Sequence, residues 1–221
     1  MKKFKLSVSI YCAGYSCLKE SIAEIEQNQI DYIHIDIMDG HFAPCMSGGP
    51  SYLSDIRKFS TIPLDIHIMA EPLEPVLKLL HFCKGDRVCV HYESTRHIQR
   101  IIDELKDQEV KAGVAINPGT PINVLDNILP EIDLINVMTI NPGQAGHGLI
   151  PYTLDKISQL RSIIDRNGYH AEIEQDGGSD FANIKSIADA GADIIVLGAR
   201  SCYAEGVDFS YAIEQIRQAI L

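Results

Sequence analysis

No stretch of this chain approaches the roughly 20 consecutive apolar residues that a membrane-spanning helix requires. The N-terminal MKKFKLSVSIYCAGYS has lysines and a short apolar part, but serines break that part and no small-x-small cleavage site follows. It reads as a first strand and not as a secretory signal. Basic charge is scarce. Against 30 acidic residues stand 19 lysines and arginines, a net charge of -11. That balance argues against nucleic acid or an anionic membrane as a general partner, while leaving room for a small anion in a local pocket. The six cysteines, at 12, 17, 45, 83, 89 and 202, include no C-x-x-C pair. They are expected to be reduced thiols in a cytoplasmic protein. Linkers, low-complexity tracts and charge blocks are also missing, so residues 1–221 are expected to form a single domain. No G-x-G-x-x-G follows the first apolar run, which removes the usual mark of a dinucleotide fold.

What is present is a rhythm. Apolar, β-prone runs recur at 5–10, 32–37, 64–69, 87–91, 111–116, 134–138, 171–176 and 193–197. Helical spacing lies between most of them. Ile98, Ile101, Ile102 and Leu105 fall at i, i+3, i+4 and i+7, and Leu154, Ile157, Leu160 and Ile164 follow one another at steps of three or four. Turn residues follow many runs, as in NPGT at 117–120 and NPGQAG at 141–146. Strand and helix alternating eight times in this length is the period of an α/β (β/α)8 barrel.

Chemistry in such barrels sits at the C-terminal strand ends. Side chains two apart on a strand share a face. The isoleucines at 33, 35 and 37 suit the helix layer, so His34 and Asp36 should point into the barrel. The third run, LDIHIM, sends Asp65, His67 and Met69 inward by the same alternation. The seventh sends Glu172, Glu174 and Asp176 inward. Buried unpaired charges cost several kcal/mol each, so these groups need partners. Two histidines and two or more carboxylates from different strands make an N/O cage of the kind that holds a divalent ion.

Each residue also has a plainer reading. A lone strand histidine, such as His91, is more often a hydrogen-bonded core residue than a ligand. Asp65 and Glu174 either orient histidines or fill a polar layer. Asp39 before Gly40 reads as a turn residue, and Met38, Met69 and Met138 as core fillers. The coincidence of H-x-D and D-x-H on neighbouring strands, with D-G-G closing a third, favours function. Gly177, Gly178 and Ser179 follow the seventh run, and Gly198, Ala199 and Arg200 the eighth. Glycine turns at these two strands suit phosphate, which the backbone approaches closely. Arg200 either adds a charged contact there or points to solvent.

Four blocks, HIDIMDGHFAP, PLDIHIM, VMTINPGQAG and EIEQDGG, occur in this order, and with them the chain resembles the ribulose-phosphate 3-epimerase family. The resemblance runs from Ser9 to Gly198. It implies a (β/α)8 barrel of the ribulose-phosphate-binding type, an isomerase acting on a ketose phosphate, and one divalent metal ion. Zinc is the first expectation for that ion, with iron, manganese and cobalt as alternatives. It implies that His34, Asp36, His67 and Asp176 are the metal ligands, and that Asp36 and Asp176 are also the catalytic acid/base pair. Ser9 is implied to touch the substrate or a catalytic carboxylate, and Met38, Met69 and Met138 to line the reacting centre. Gly146, Gly178, Gly198 and Ala199 match the phosphate turns, beside Gly177 and Arg200. The working form is expected to be a homo-oligomer.

The chain departs from the family pattern in its loops. Tyr11-Cys12-Ala13-Gly14-Tyr15 follow the first strand, Cys45 replaces an asparagine, and Met46-Ser47-Gly48-Gly49 are altered. Gln144, Ala145 and His147 change the sixth loop, and Ala199-Arg200-Ser201-Cys202 the eighth. The ligand set is intact, so the expectation is 3-epimerisation of a ketose phosphate. D-Ribulose 5-phosphate and a hexulose 6-phosphate such as D-allulose 6-phosphate are the two candidate substrates. A decarboxylase on the same kind of barrel would need a lysine where His67 stands. A sensor without turnover would tolerate loss of an acid, and both acids are kept.

Overall fold

The structure, a computed structural model, describes residues 4–220. Residues 1–3, which precede the expected first strand, and Leu221 lie outside the described residues. Among the described residues, nine strands form one sheet that closes on itself. They are β1 (Lys5–Ser9), β2 (Tyr32–Asp39), β3 (Met46–Ser47), β4 (Leu64–Met69), β5 (Arg87–His91), β6 (Lys111–Ile116), β7 (Leu134–Met138), β8 (Glu172–Asp176) and β9 (Ile194–Leu197). Eight run parallel in sequence order, and β1 pairs with both β9 and β2 to seal the barrel. Helices α1 (Leu18–Gln27), α2 (Pro50–Ile56), α3 (Leu73–Leu77), α4 (Ile98–Lys106), α5 (Thr153–Asn167), α6 (Ile184–Ala190) and α7 (Phe209–Ile220) cover the outside.

The large core lies between barrel and helices. Ile33, Ile35, Ile37, Ile66, Ile68 and Ile173 all point into it, together with Ile22 and Ile25 of α1, Ile101, Ile102 and Leu105 of α4, and Ile157, Leu160 and Ile164 of α5. Each such side chain contributes roughly 1.5–3 kcal/mol relative to exposure. This burial fixes the strand register, because a one-residue slip would send the isoleucines into the polar barrel interior.

Three features differ from the sequence expectation. The first strand ends at Ser9, and Ile10–Ala13 form a 3-10 turn. Between β6 and β7 there is no α-helix among the described residues, only a 3-10 turn at Ile122–Leu125. Pro118, Pro121 and Pro130 lie in that crossover, and a proline inside a helix removes a hydrogen bond and clashes with the preceding turn. The third difference is β3, which pairs antiparallel with Met38 and Asp39 at the end of β2. No described helix is long and apolar enough to cross a membrane.

Candidate functional site

The inward faces of β2, β4 and β8 bring four groups together at the C-terminal end of the barrel. Asp36 is opposite His67 across the β2–β4 ladder, and Met138 is opposite Asp176 across β7–β8. His34 Nε2 lies 3.4 Å from Asp36 Oδ1 and 3.5 Å from Asp176 Oδ2. His67 Nδ1 lies 3.0 Å from Asp176 Oδ2 and 3.8 Å from Asp36 Oδ1. Ligand atoms of all four residues fall within 4.8 Å of one another.

These spacings fit a bound cation. Four N/O atoms about 2.0–2.1 Å from one ion in a tetrahedron stand roughly 3.3 Å apart. The buried nitrogens His34 Nε2 and His67 Nδ1 have no hydrogen-bond partner, since their close carboxylate contacts lack hydrogen-bond geometry. Two unpartnered nitrogens aimed at two carboxylate oxygens suit a positive charge placed between them. Metal-free, the cluster seeks protons instead. Burial opposes charge on His34, but Asp36, Asp176 and Asp65 outweigh it and raise the imidazole well above its ordinary pKa. Burial likewise opposes ionisation of Asp176, and His34 and His67 more than reverse this, holding it well below the carboxylate range.

Each of the four is held from behind. His34 Nδ1 donates to Asp65 Oδ2 at 3.0 Å, and Ser7 Oγ donates to the same oxygen at 2.7 Å. Asp36 Oδ2 accepts from Ser9 Oγ at 2.6 Å. Asp176 Oδ2 accepts from Asn136 Nδ2 at 3.2 Å, and Asn136 Nδ2 also reaches Glu174 Oε1 at 3.0 Å. His67 Nε2 meets His91 Nε2 at 2.8 Å, and His91 Nδ1 meets Glu93 Oε2 at 3.1 Å. Burial pushes His91 down to about 4, against the pull of Glu93. Asp65 thus supports a histidine, and His91 is a hydrogen-bonded core residue as expected. Glu93 and Asn136 went unread in the sequence. H-x-E at the end of the fourth run was the available signal for Glu93.

A cleft of about 590 Å³, partly open to solvent, stands over this cluster. Ser9, Asp36, Met38, Met69, Met138 and Asp176 form its floor, and Gly146, Gly177, Gly178, Gly198, Ala199 and Arg200 one side. His34 and His67, fully buried, lie beneath the floor. Met38 and Met69 pack with Ala43 as a small apolar cluster. Gly178 has φ +73°, and a Cβ there would stand 2.5 Å from the backbone nitrogen of Leu149. The turn after β8 therefore passes too close to the loop after β7 for any side chain. Arg200 is pinned across the loops after β8 and β9, its Nη2 donating to Asp180 Oδ2 at 2.8 Å. Asp39 is confirmed as a turn clamp, accepting from the backbone of His41, Phe42 and Glu71. Of the altered residues, Tyr11, Cys12, Gln144 and Ala145 line the cleft along with Ala199 and Arg200, and Cys45 Sγ donates to the Gly143 carbonyl at 3.2 Å, joining the β2 and β7 loops.

Solved barrels share the fold. The 3-hexulose-6-phosphate synthase of Salmonella typhimurium superposes with a TM-score of 0.65 at 17% identity, covering 98% of each chain. The N-(5'-phosphoribosyl)anthranilate isomerase of Pyrococcus furiosus gives 0.63 at 12% identity, covering 99% of this chain and 98% of its own. At such identities the likeness concerns the fold. Sequence relatives are much nearer. The ribulose-phosphate 3-epimerase of Buchnera aphidicola is 37% identical across 100% of this chain and 96% of its own length. The Escherichia coli K12 enzyme of the same name is 34% identical across 100% and 97%. The family model described as ribulose-phosphate 3 epimerase matches residues 5–201, a span that contains every strand of the barrel and all four clustered residues, and the chain belongs to that family.

Proposed function

We propose that this protein inverts carbon 3 of a ketose phosphate, interconverting D-ribulose 5-phosphate and D-xylulose 5-phosphate. The convergence of Asp36 and Asp176 on one centre at the floor of the cleft carries the reading. The proton on carbon 3, beside the carbon 2 ketone, is weakly acidic, and its removal gives a 2,3-enediolate. One carboxylate takes that proton and the other returns one to the opposite face. Ser9 fixes the rotamer of Asp36 and Asn136 that of Asp176, so neither base must reorient at the moment of transfer. A divalent ion held by His34, Asp36, His67 and Asp176 would supply Lewis-acid stabilisation of the charge that develops. Met38, Met69 and Met138 keep water from the carbanionic carbon. The backbone of Gly146, Gly177, Gly178, Gly198 and Ala199 receives the phosphate, and Arg200 offers it a cation whose position Asp180 sets.

A second substrate, a hexulose 6-phosphate such as D-allulose 6-phosphate, has one observation in its favour: the altered residues Tyr11, Cys12, Gln144 and Ala145 all face the cleft. The test is deuterium incorporation by NMR in heavy water, with divalent metal, on D-ribulose 5-phosphate, D-allulose 6-phosphate and D-fructose 6-phosphate. Deuterium at carbon 3 with the epimer appearing establishes the reaction and names the sugar. No exchange in any of them, with metal bound, refutes turnover of these sugars. The proposal extends to zinc as the ion, on the strength of the mixed His/Asp set, and to the cytoplasm, on that of six unpaired cysteines. It extends also to a homo-oligomer, supported by the exposed side chains of Tyr15 and Met46. Sedimentation at micromolar concentration checks the last point, and a monomer refutes it.

A further inference from the structure

Two of the metal-facing groups are histidines, and each must present a bare nitrogen to the cation. For His34 the means is direct: Asp65 accepts a hydrogen bond from Nδ1–H, which keeps the proton there and leaves Nε2 bare. His67 has no carboxylate behind it. Its outer nitrogen, Nε2, faces another imidazole nitrogen, His91 Nε2, at 2.8 Å. Two facing ring nitrogens form one hydrogen bond only if one carries a proton and the other does not. Nothing within that pair decides which.

The decision is made one residue further out. Glu93 Oε1 accepts the backbone N–H of Asn117 at 2.8 Å and the hydroxyl of Thr120. Its Oε2 faces His91 Nδ1 at 3.1 Å. An ionised carboxylate only accepts, so the proton of neutral His91 sits on Nδ1. His91 Nε2 is then bare and accepts from His67 Nε2–H, which leaves His67 Nδ1 bare toward Asp36 and Asp176. The loop that orients Glu93 is itself fastened from the other side. The buried Lys156 of α5 donates to the carbonyls of Asn117 at 2.8 Å and Pro118 at 3.1 Å.

We infer that Glu93 and His91 are positioning residues that set the tautomer of His67 from two residues away, making His67 a metal ligand through Nδ1. The inference rests on the metal reading above. Glu93→Gln tests it, because both donors at Oε1 require an acceptor there. The amide therefore turns its oxygen to Asn117 and Thr120 and its NH2 to His91 Nδ1. Every proton in the relay then reverses, and His67 Nδ1 carries a hydrogen where the cation should bind.

Zinc affinity is measured by competition with a chromophoric chelator, on wild type and Glu93→Gln, beside the melting temperature of each metal-free protein. The expected result is a 10–100-fold loss of affinity, the scale on which the groups behind metal-ligating histidines act, with metal-free melting changed by no more than a few degrees. Equal affinity in the two proteins overturns the relay, even where melting falls, since a loop-fastening role alone would do that. Wild type that binds none of zinc, manganese, cobalt and iron(II) overturns the metal reading itself and is distinguishable at once. Should the variant not fold, long-range proton–nitrogen NMR on the zinc-loaded wild type decides. His91 is expected as the Nδ1–H tautomer with bare Nε2, and the opposite tautomer refutes the relay.

Discussion

Removing the divalent metal should cost this protein a measurable part of its thermal stability. His34 Nε2, His67 Nδ1 and one oxygen each of Asp36 and Asp176 stand 3.0–3.8 Å apart in the native barrel. They come from β2, β4 and β8 and are dispersed in the unfolded chain, so a cation that bridges them binds the folded state. At a free metal concentration 100 times Kd, the stabilisation is about 2.7 kcal/mol. For a chain of 221 residues, each kcal/mol moves Tm by about 2–4 °C, which gives a rise of about 5–11 °C. The assay is a thermal melt by circular dichroism, metal-stripped and then with zinc, manganese, cobalt or iron(II). His67→Ala is the companion variant. It removes one ligand and leaves His91 Nε2 without its partner, so its metal-free melting also falls. The comparison is therefore made within the variant, where metal should raise Tm by less than half as much as in wild type. A wild-type Tm that moves by under 1 °C with every metal, or an undiminished rise in His67→Ala, would refute the assignment.

Asp176→Asn should lower deuterium exchange at carbon 3 by at least 10²–10⁴-fold, the usual worth of a positioned acid or base, with an unchanged circular dichroism spectrum. Exchange within tenfold of wild type would remove Asp176 from the proton transfers. Gly178→Ala puts a Cβ 2.5 Å from Leu149 N at a φ of +73°, and the left-handed backbone alone costs about 1–2 kcal/mol. We expect a lower Tm and a KM for the sugar phosphate raised at least tenfold, and an unchanged KM would show that this turn does not hold the phosphate. Glu93 is partly shielded, which opposes its ionisation, but His91, Thr120 and Asn117 outweigh this and draw it from 4.5 to about 2. A carboxylate depressed on folding contributes stability above its unfolded pKa and loses it as pH falls through its folded one. The difference in unfolding free energy between wild type and Glu93→Gln should therefore shrink from pH 5 to pH 2, and a constant difference would sink the argument.

The barrel was legible because its signals are periodic and strong. Isoleucines at 33, 35 and 37 against His34 and Asp36 state both the strand and the direction each side chain faces. The same alternation in LDIHIM placed His67, and D-G-G placed Asp176 at a strand end beside a glycine turn. What escaped notice has no period. β3 is two residues long, and its pairing with Met38 and Asp39 depends on Gly48 and Gly49, whose backbones take φ values of +71° and +137°. The missing helix between β6 and β7 could have been foreseen from its three prolines, yet the count of eight strand–helix units carried the reading past them. Asn136 lies in the apolar run LINVM, where a single amide is outweighed by four hydrophobes, and its place between Glu174 and Asp176 exists only across the β7–β8 ladder. Glu93 could be paired with His91 from H-x-E, but its relation to His67 needs the fold, because β4 and β5 bring the two rings together.

The charges inside the barrel explain why the site calls for a cation of two charges. At the N-terminal end, Glu172 accepts from Lys5 at 2.7 Å and from Arg87 at 2.8 Å. Burial opposes these charges, but the pairing lowers Glu172 and raises Lys5, and Arg87 is raised by Asp65 and Glu174 above it as well as by Glu172. One layer up, burial disfavours a charge on both Asp65 and Glu174. His34 and Arg87 keep Asp65 ionised, well below its ordinary range. Burial and the neighbouring Asp65 drive Glu174 well above its own, toward the neutral acid. Lys5 and Arg87 are then matched by Glu172 and Asp65, and these lower layers balance. Asp36 and Asp176 are left over at the top, directly under the cleft. Two formal negative charges at a buried site need compensation on the spot. A divalent ion supplies it in full, whereas the proton that His34 takes up in the metal-free protein supplies half. Metal binding would therefore displace that proton, and affinity should weaken as pH falls and the proton competes. The polar residues that interrupt apolar strands in this sequence are, on this count, one column of charges that a dication at its upper end would balance.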